Sequence, residues 1–373
     1  MKRFSIKLLV MVVMLSLILA ACGNGGGATG GTPTGEAGAA TGGGTITLRV
    51  GSGHAETNPW IISFEQYFVQ TVADRVAAET DYTIEWIRAY GGSIITLGNE
   101  LEGIESGLVD IGCIILVFEA SRLPLQTMMF SMPFTVPDPE VGAVVYAQML
   151  QEFPQLRTSF ENFNQIYLGL GFSDPYGLYS AIPVTSLADI SGARIGAAGI
   201  NLAWVEGSGA AGVQTSIPEA YQNIQTAVID MTIQPTRSMM NLMIYEVTPY
   251  YLNAGFGSKP FNAITINQQS WDGLPAAVQQ ILVEEGDAYL ARSTAFMADI
   301  HAGSLDHMAE VGVTVHTLSR ADQEAWAASL DNIVLGLVQT LDSHGYPGAE
   351  IVERWFELLE ENGVPRIRDW LGE

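Results

Sequence analysis

Lysine is almost missing from this chain. Of 373 residues only Lys2, Lys7 and Lys259 are lysines, and the first two lie at the extreme N-terminus. Lysine plus arginine total 16 against 40 aspartates plus glutamates, a formal charge of −24. Losing Lys2, Arg3 and Lys7 with a leader would take the charge to −27. So acidic a body has no electrostatic footprint for nucleic acid or an anionic surface. Cysteine is equally scarce, at Cys22 and Cys113. A single cysteine in the body excludes an intramolecular disulfide there. Cys113, among Ile111, Ile114 and Ile115, reads as a small buried hydrophobe with no cation to activate it.

The motifs of common enzymes are missing too. His54, His301, His307, His316 and His344 form no i, i+4 pair around a glutamate, so no zinc-protease site is visible. No GxSxG or Walker A pattern occurs. Gly207-Ser208-Gly209-Ala210-Ala211-Gly212 has the look of a dinucleotide loop, but no convincing strand precedes it, and a packing turn is the better reading. No catalytic residue, metal ligand or cofactor is assigned, and an enzyme is not expected.

The N-terminus carries a clear signal. Lys2, Arg3 and Lys7 precede an apolar core from Leu8 to Leu19, too short to span a bilayer comfortably, which takes about 20 residues. Leu19-Ala20-Ala21-Cys22 resembles the bacterial lipobox, in which the cysteine is acylated and the chain is cut before it. The expectation is a leader over 1–21, lipid on Cys22, and a chain exported and held on the outer face of the membrane. An ordinary cleaved signal and a permanent helical anchor are the alternatives; no stop-transfer charges support the anchor. Residues 22–44 are rich in Gly and Thr without a large apolar side chain, and read as a flexible tether.

The body of about 330 residues exceeds the usual size of one core, so two lobes are expected. Thr45 to Val50 alternates as a first strand, a helix follows over 59–79, and Tyr82 to Ile87 is a second strand. Leu101 to Ser106 reads as helix with Gly107 as its stop. The apolar run Ile111 to Phe118 suits a strand buried on both faces. The pattern restarts with strands over 165–172, 193–195 and 228–233 and helices over 200–205 and 218–226. A strand over 261–266 and a largely helical remainder complete the chain. These alternations imply α/β lobes with a cleft between them.

Several segments together resemble the substrate-binding proteins of TRAP transporters, the DctP family. They are Gly92-Ser93, Leu101-Glu102, Ser106-Gly107, Asp110-Ile111-Gly112 and Met132-Pro133-Phe134. Further along come Pro183-Val184, Ser186-Leu187, Asp189-Ile190, Gly192-Ala193-Arg194-Ile195, Tyr221, Gln225-Thr226, Val228-Ile229-Asp230 and Tyr245-Glu246-Val247. Asn267 and Leu274-Pro275 close the series. The resemblance covers roughly 45 to 330. It implies a two-lobed periplasmic-binding-protein clamshell with hinge-crossing segments and a helical C-terminal region. Lobe I is expected over 45–171 and 254–300, lobe II over 172–253 and 301–373 with the C-terminal helices. It also implies a small organic solute as ligand and a two-subunit membrane permease as partner, driven by an ion gradient.

Departures from the family shape the site expected here. Gly196 stands where carboxylate-binding members have the arginine that clasps the solute, and Tyr176 aligns with a second family arginine. Ile115 aligns with a polar pocket residue and Gln234 with a pocket asparagine. Two lost cations make a simple dicarboxylate unfavourable, because a buried unpaired carboxylate is costly. The expected lining is His54, Glu56, Tyr90, Ile115, Tyr176, Tyr179, Gly196, Trp204 and Gln234. Arg88, Arg237 or Lys259 remains available to restore a positive charge. The binding lipoprotein of an ATP-driven importer or of a sensor kinase, and an anchored hydrolase, are the competing readings.

Overall fold

The computed structural model describes residues 43–137 and 139–372; Cys22, the leader and the tether up to residue 42 lie outside them. Eleven strands among the described residues form two mixed sheets. The first runs β2-β1-β3-β10-β4, from β1 (Thr45–Gly51), β2 (Thr83–Ala89), β3 (Ile111–Ile115), β4 (Gln165–Phe172) and β10 (Pro260–Asn267). Strands β1, β2 and β3 are parallel, and β10 runs antiparallel between β3 and β4. The second runs β11-β9-β5-β8-β6-β7. Its members are β5 (Tyr176–Ser180), β6 (Arg194–Ala197), β7 (Ala211–Gln214), β8 (Met231–Pro235), β9 (Tyr250–Gly257) and β11 (Thr314–Thr317).

Strand β3 shows why the apolar run was legible. All five of its residues are buried, as expected for an inner strand with both faces covered. The run does not continue as strand: Leu116–Phe118 coils into a 3-10 turn and carries Val117 and Phe118 off the sheet edge. The helix expected over 59–79 is continuous but holds a π-helical insertion at Glu65–Val69. In the segment resembling a dinucleotide loop, Gly207 and Gly209 take left-handed backbone and β7 begins at Ala211. The segment leads into an edge strand, not a helix, and so is a packing turn.

The chain passes between the sheets at Ser173–Pro175, at Ser258–Lys259 and along the helix Ala276–Glu310. That helix has 35 residues, about 50 Å at 1.5 Å per residue. Near its start Gly286 lies against β4, where a Cβ would fall 2.1 Å from the Leu168 carbonyl oxygen. At its far end Met308 joins Tyr179, Tyr251 and Ile244 in the core of the second lobe.

The C-terminal segment departs from expectation. The helices Ile333–Ser343 and Gly348–Glu361 pack on Pro124–Ser131 and Pro139–Glu152 of the first lobe, not on the second. Arg354 seals the contact with a 2.7 Å ion pair to Glu152. The buried stripe Ile351, Val352, Trp355, Phe356 and Leu359 demands a partner surface, but a periodicity does not say which one.

Candidate solute-binding site

A small cavity of about 10 Å³ lies between the two sheets, lined from both. The first lobe contributes His54, Ile115, Val117, Phe118 and Phe261; the second contributes Tyr176, Ala198, Asn201, Ile217, Ile233 and Pro235. Its position follows from topology. His54 follows the carboxyl end of β1 and Ile115 ends β3. Ala198 and Asn201 follow β6, and Ile233 and Pro235 close β8. Strands β5 and β10 begin at the same edges because they run antiparallel to these neighbours. Ligands of open α/β sheets bind at the carboxyl ends of parallel strands.

The lobes are closed on each other. Gly199, at a φ of +52°, lies against Val117, whose carbonyl oxygen would be 2.4 Å from a Cβ there. Trp204 donates its indole N–H to the Phe130 carbonyl at 2.5 Å. Across the outer rim, Asn241 Nδ2 donates 2.8 Å to the Thr57 carbonyl. A cavity of this size holds about one water, so a solute enters only when the lobes part.

Three of the residues singled out from sequence line the cavity: His54, Ile115 and Tyr176. The others lie elsewhere. Glu56 and Tyr90 face an outer groove with Arg88, and the Tyr90 hydroxyl is bonded to Glu65. Tyr179 packs in the core of the second lobe, its hydroxyl donating 2.8 Å to the Thr236 carbonyl. Gly196 faces Ile229 and Thr215, with Ile229 Cδ1 2.6 Å from where a Cβ would stand. Trp204 sits one layer behind, packed edge-on to Tyr176 at 5.3 Å. Gln234 lies between two cavity residues, Ile233 and Pro235, and donates 3.2 Å to Thr232 Oγ1. Alternation along a strand turns its side chain to the other face.

Asn201 is the polar residue that sequence reading missed. It sits in the 3-10 turn Gly199–Trp204, where an amide interrupts an apolar segment. That interruption is the one signal that would have marked it.

None of the three spare cations lines the cavity. Arg88 is held by Glu65 at 3.0 Å. Arg237 borders an outer groove with Asp306, His307 and Glu310. Lys259 is fully buried at the crossing, its Nζ donating to the carbonyls of Phe256 at 2.9 Å and Met132 at 3.2 Å. Nζ also lies 5.4 Å from the Trp204 ring centre. Burial depresses the Lys259 ammonium to about 7. At the other crossing, buried Asp174 accepts from the Arg237 backbone N–H at 2.5 Å, and burial raises its carboxyl to about 7. His54 is pushed down to about 4 by burial, which keeps it neutral. Among the described residues no cluster of His, Cys, Asp and Glu could hold a metal ion.

A family model for bacterial extracellular solute-binding proteins, family 7 (DctP), matches residues 51–339. The chain belongs to that family. It is 30% identical to the C4-dicarboxylate-binding periplasmic protein DctP of Rhodobacter capsulatus over 167 residues, 42% of this chain and about half, 49%, of that protein. It is 26% identical to the ectoine/5-hydroxyectoine-binding periplasmic protein UehA of Ruegeria pomeroyi over 257 residues, 64% of this chain and 71% of that one. Among solved structures, a TRAP periplasmic solute-binding protein of Desulfovibrio salexigens, in an open complex, superposes with a TM-score of 0.74 at 21% identity. That match covers 85% of this chain and 96% of the other. DctP6 of Bordetella pertussis, which binds pyroglutamic acid, gives 0.73 at 16% identity, over 84% and 100%. These structural matches support the two-lobed fold of the DctP family member described here. No helix of the described residues is long and apolar enough to cross a membrane.

Proposed function

We propose that this DctP-family chain is the extracytoplasmic solute receptor of a TRAP-type importer. It closes on a small organic molecule and delivers it to a two-subunit membrane permease. The observation that carries the reading is the cavity between the sheets, lined from both lobes, so that a solute there gains its full contacts only in the closed state. Such a ligand stabilises closure by population shift. Three cavity residues came from strand ends and family alignment; the remaining lining, Asn201 above all, extends that set.

The solute is not a simple dicarboxylate. Arg88 and Lys259 are engaged away from the cavity and Arg237 borders an outer groove, and a carboxylate buried without a cation is costly. Relatives bind solutes as different as C4-dicarboxylates and ectoine, so family membership leaves the choice open. Thermal-shift screening of a solute library tests both parts. Stabilisation by an organic solute supports the receptor, and strong stabilisation by succinate or malate would sink the exclusion.

Lipid on Cys22, with residues 23–44 as a leash, would keep the receptor concentrated near its permease. Replacing the cysteine (Cys22→Ser) should move the protein from the membrane to the soluble fraction and abolish labelling by a radioactive fatty acid. Unchanged membrane association would contradict the anchor.

A further inference from the structure

Two residues that line the cavity each carry a buried polar atom without a hydrogen-bond partner: Nε2 of His54 and Oδ1 of Asn201. Both residues are almost fully buried, at 3% and 1% exposure. Leaving such atoms unpaired is costly, and each calls for a partner, which beside a cavity a water or a bound solute supplies.

The indole beside His54 fixes which of its ring nitrogens carries the proton. Trp60 donates its indole N–H to His54 Nδ1 at 2.9 Å. Indole is a donor only, so Nδ1 is the acceptor, and a neutral imidazole then carries its proton on Nε2. His54 therefore presents an N–H donor from the first lobe. Asn201, whose side chain interacts with the Tyr176 hydroxyl, presents an amide carbonyl acceptor from the second. The remaining lining is chiefly aliphatic and aromatic, with no cation and no carboxylate.

The geometry points to a neutral solute carrying a hydrogen-bond acceptor and an N–H donor on a small apolar frame, as a primary or cyclic amide does, with His54 donating to its carbonyl and Asn201 accepting its N–H. This rests on the receptor reading above and names its substrate class. A carboxylate would meet the His54 N–H but no cation, and the Asn201 Oδ1 would face its own oxygens. An ammonium ion would find no anion. An amide satisfies both orphaned atoms, and because they belong to opposite lobes it bonds both only when the lobes are shut.

The test uses the purified full-length protein and matched pairs differing in one carboxylate: 2-pyrrolidone with pyroglutamate, nicotinamide with nicotinate, benzamide with benzoate. At equal concentration at least one amide should raise the Tm by about 3 °C or more while its acid partner leaves it within about 1 °C. By calorimetry, Asn201→Leu and His54→Phe should each weaken binding of that amide about tenfold or more. His54→Gln, whose amide can accept from Trp60 and still donate, should retain affinity within about threefold. Tighter binding of the acids, or no binding by any amide, overturns the proposal. The two failures are separable: binding of acids leaves the receptor intact, whereas silence across a broad solute library counts against the receptor itself.

Discussion

Arg194 grips Asp230 across the second sheet with three bonds. The Asp230 carboxylate accepts the Arg194 backbone N–H at 2.9 Å, Nε at 3.0 Å and Nη2 at 2.6 Å. In the first sheet Arg49 holds Asp110 in the same way, at 2.7, 3.1 and 3.2 Å. Each aspartate immediately or nearly precedes a parallel strand, β8 or β3, and each arginine lies on the neighbouring strand. The guanidinium also reaches the carbonyl of the residue that ends the preceding helix turn, Ala227 or Gly107. Arg194 is thereby a register pin rather than a solute ligand.

Removing the clamp should weaken the second lobe modestly, because the pair is partly exposed to solvent. Asp230→Asn is expected to lower the Tm by roughly 2–3 °C at pH 7. The paired arginine holds the Asp230 carboxyl below its ordinary value. Its contribution is therefore present above the unfolded carboxylate range and lost as pH falls through the folded value. The gap between wild type and variant should close on acidification, as followed by denaturant melts across pH.

The two clamps differ in the residue that ends the helix. Gly107 and Ala227 both end their helices in left-handed backbone, at φ of +73° and +55°. A Cβ there is strained, and Ala227 is exposed, so little packing would be lost. Ala227→Gly should stabilise the protein by about 0.5–1 kcal/mol. A lower midpoint in urea would refute the strain.

Lys259 is a costly cation that its surroundings can spare. Its two acceptors keep other donors: Thr135 Oγ1 reaches the Met132 carbonyl at 2.6 Å, and the Phe134 N–H reaches that of Phe256 at 3.1 Å. Lys259→Met should therefore stabilise the protein at pH 6, by on the order of 2 kcal/mol. With a folded value near 7 against 10.5 unfolded, the unfolded chain binds the extra proton across that window. Wild-type stability should rise with pH from about 7 toward 10 through this group, and the variant should lack that rise. Equal pH slopes would show that the ammonium is not disfavoured by burial.

The Asn241–Thr57 bond is a rim contact that opening must break without disturbing either core. Asn241→Ala should leave the Tm of the unliganded protein nearly unchanged. It should speed solute release about two- to fivefold, measured by stopped-flow with whichever solute the screen yields. An unchanged release rate would place the closing energy in the Gly199–Val117 and Trp204–Phe130 contacts.

What the sequence determined by itself is local or compositional. Alternation marked β1, the unbroken apolar run marked β3, Gly107 marked a helix end, and two missing arginines pointed away from a dicarboxylate. Each of these follows from neighbours a few residues apart. The partner of an amphipathic helix is not local, which is why Gly348–Glu361 was assigned to the wrong lobe. Nor is the side of a strand that a lone side chain faces: Ile233 and Pro235 reach the cavity while Gln234, between them, turns away. Only the tertiary structure brought His54 and Asn201, 147 positions apart in the chain, to one cavity. Neither atom has a partner within its own segment, so their complementarity appears only when two sheets meet edge to edge.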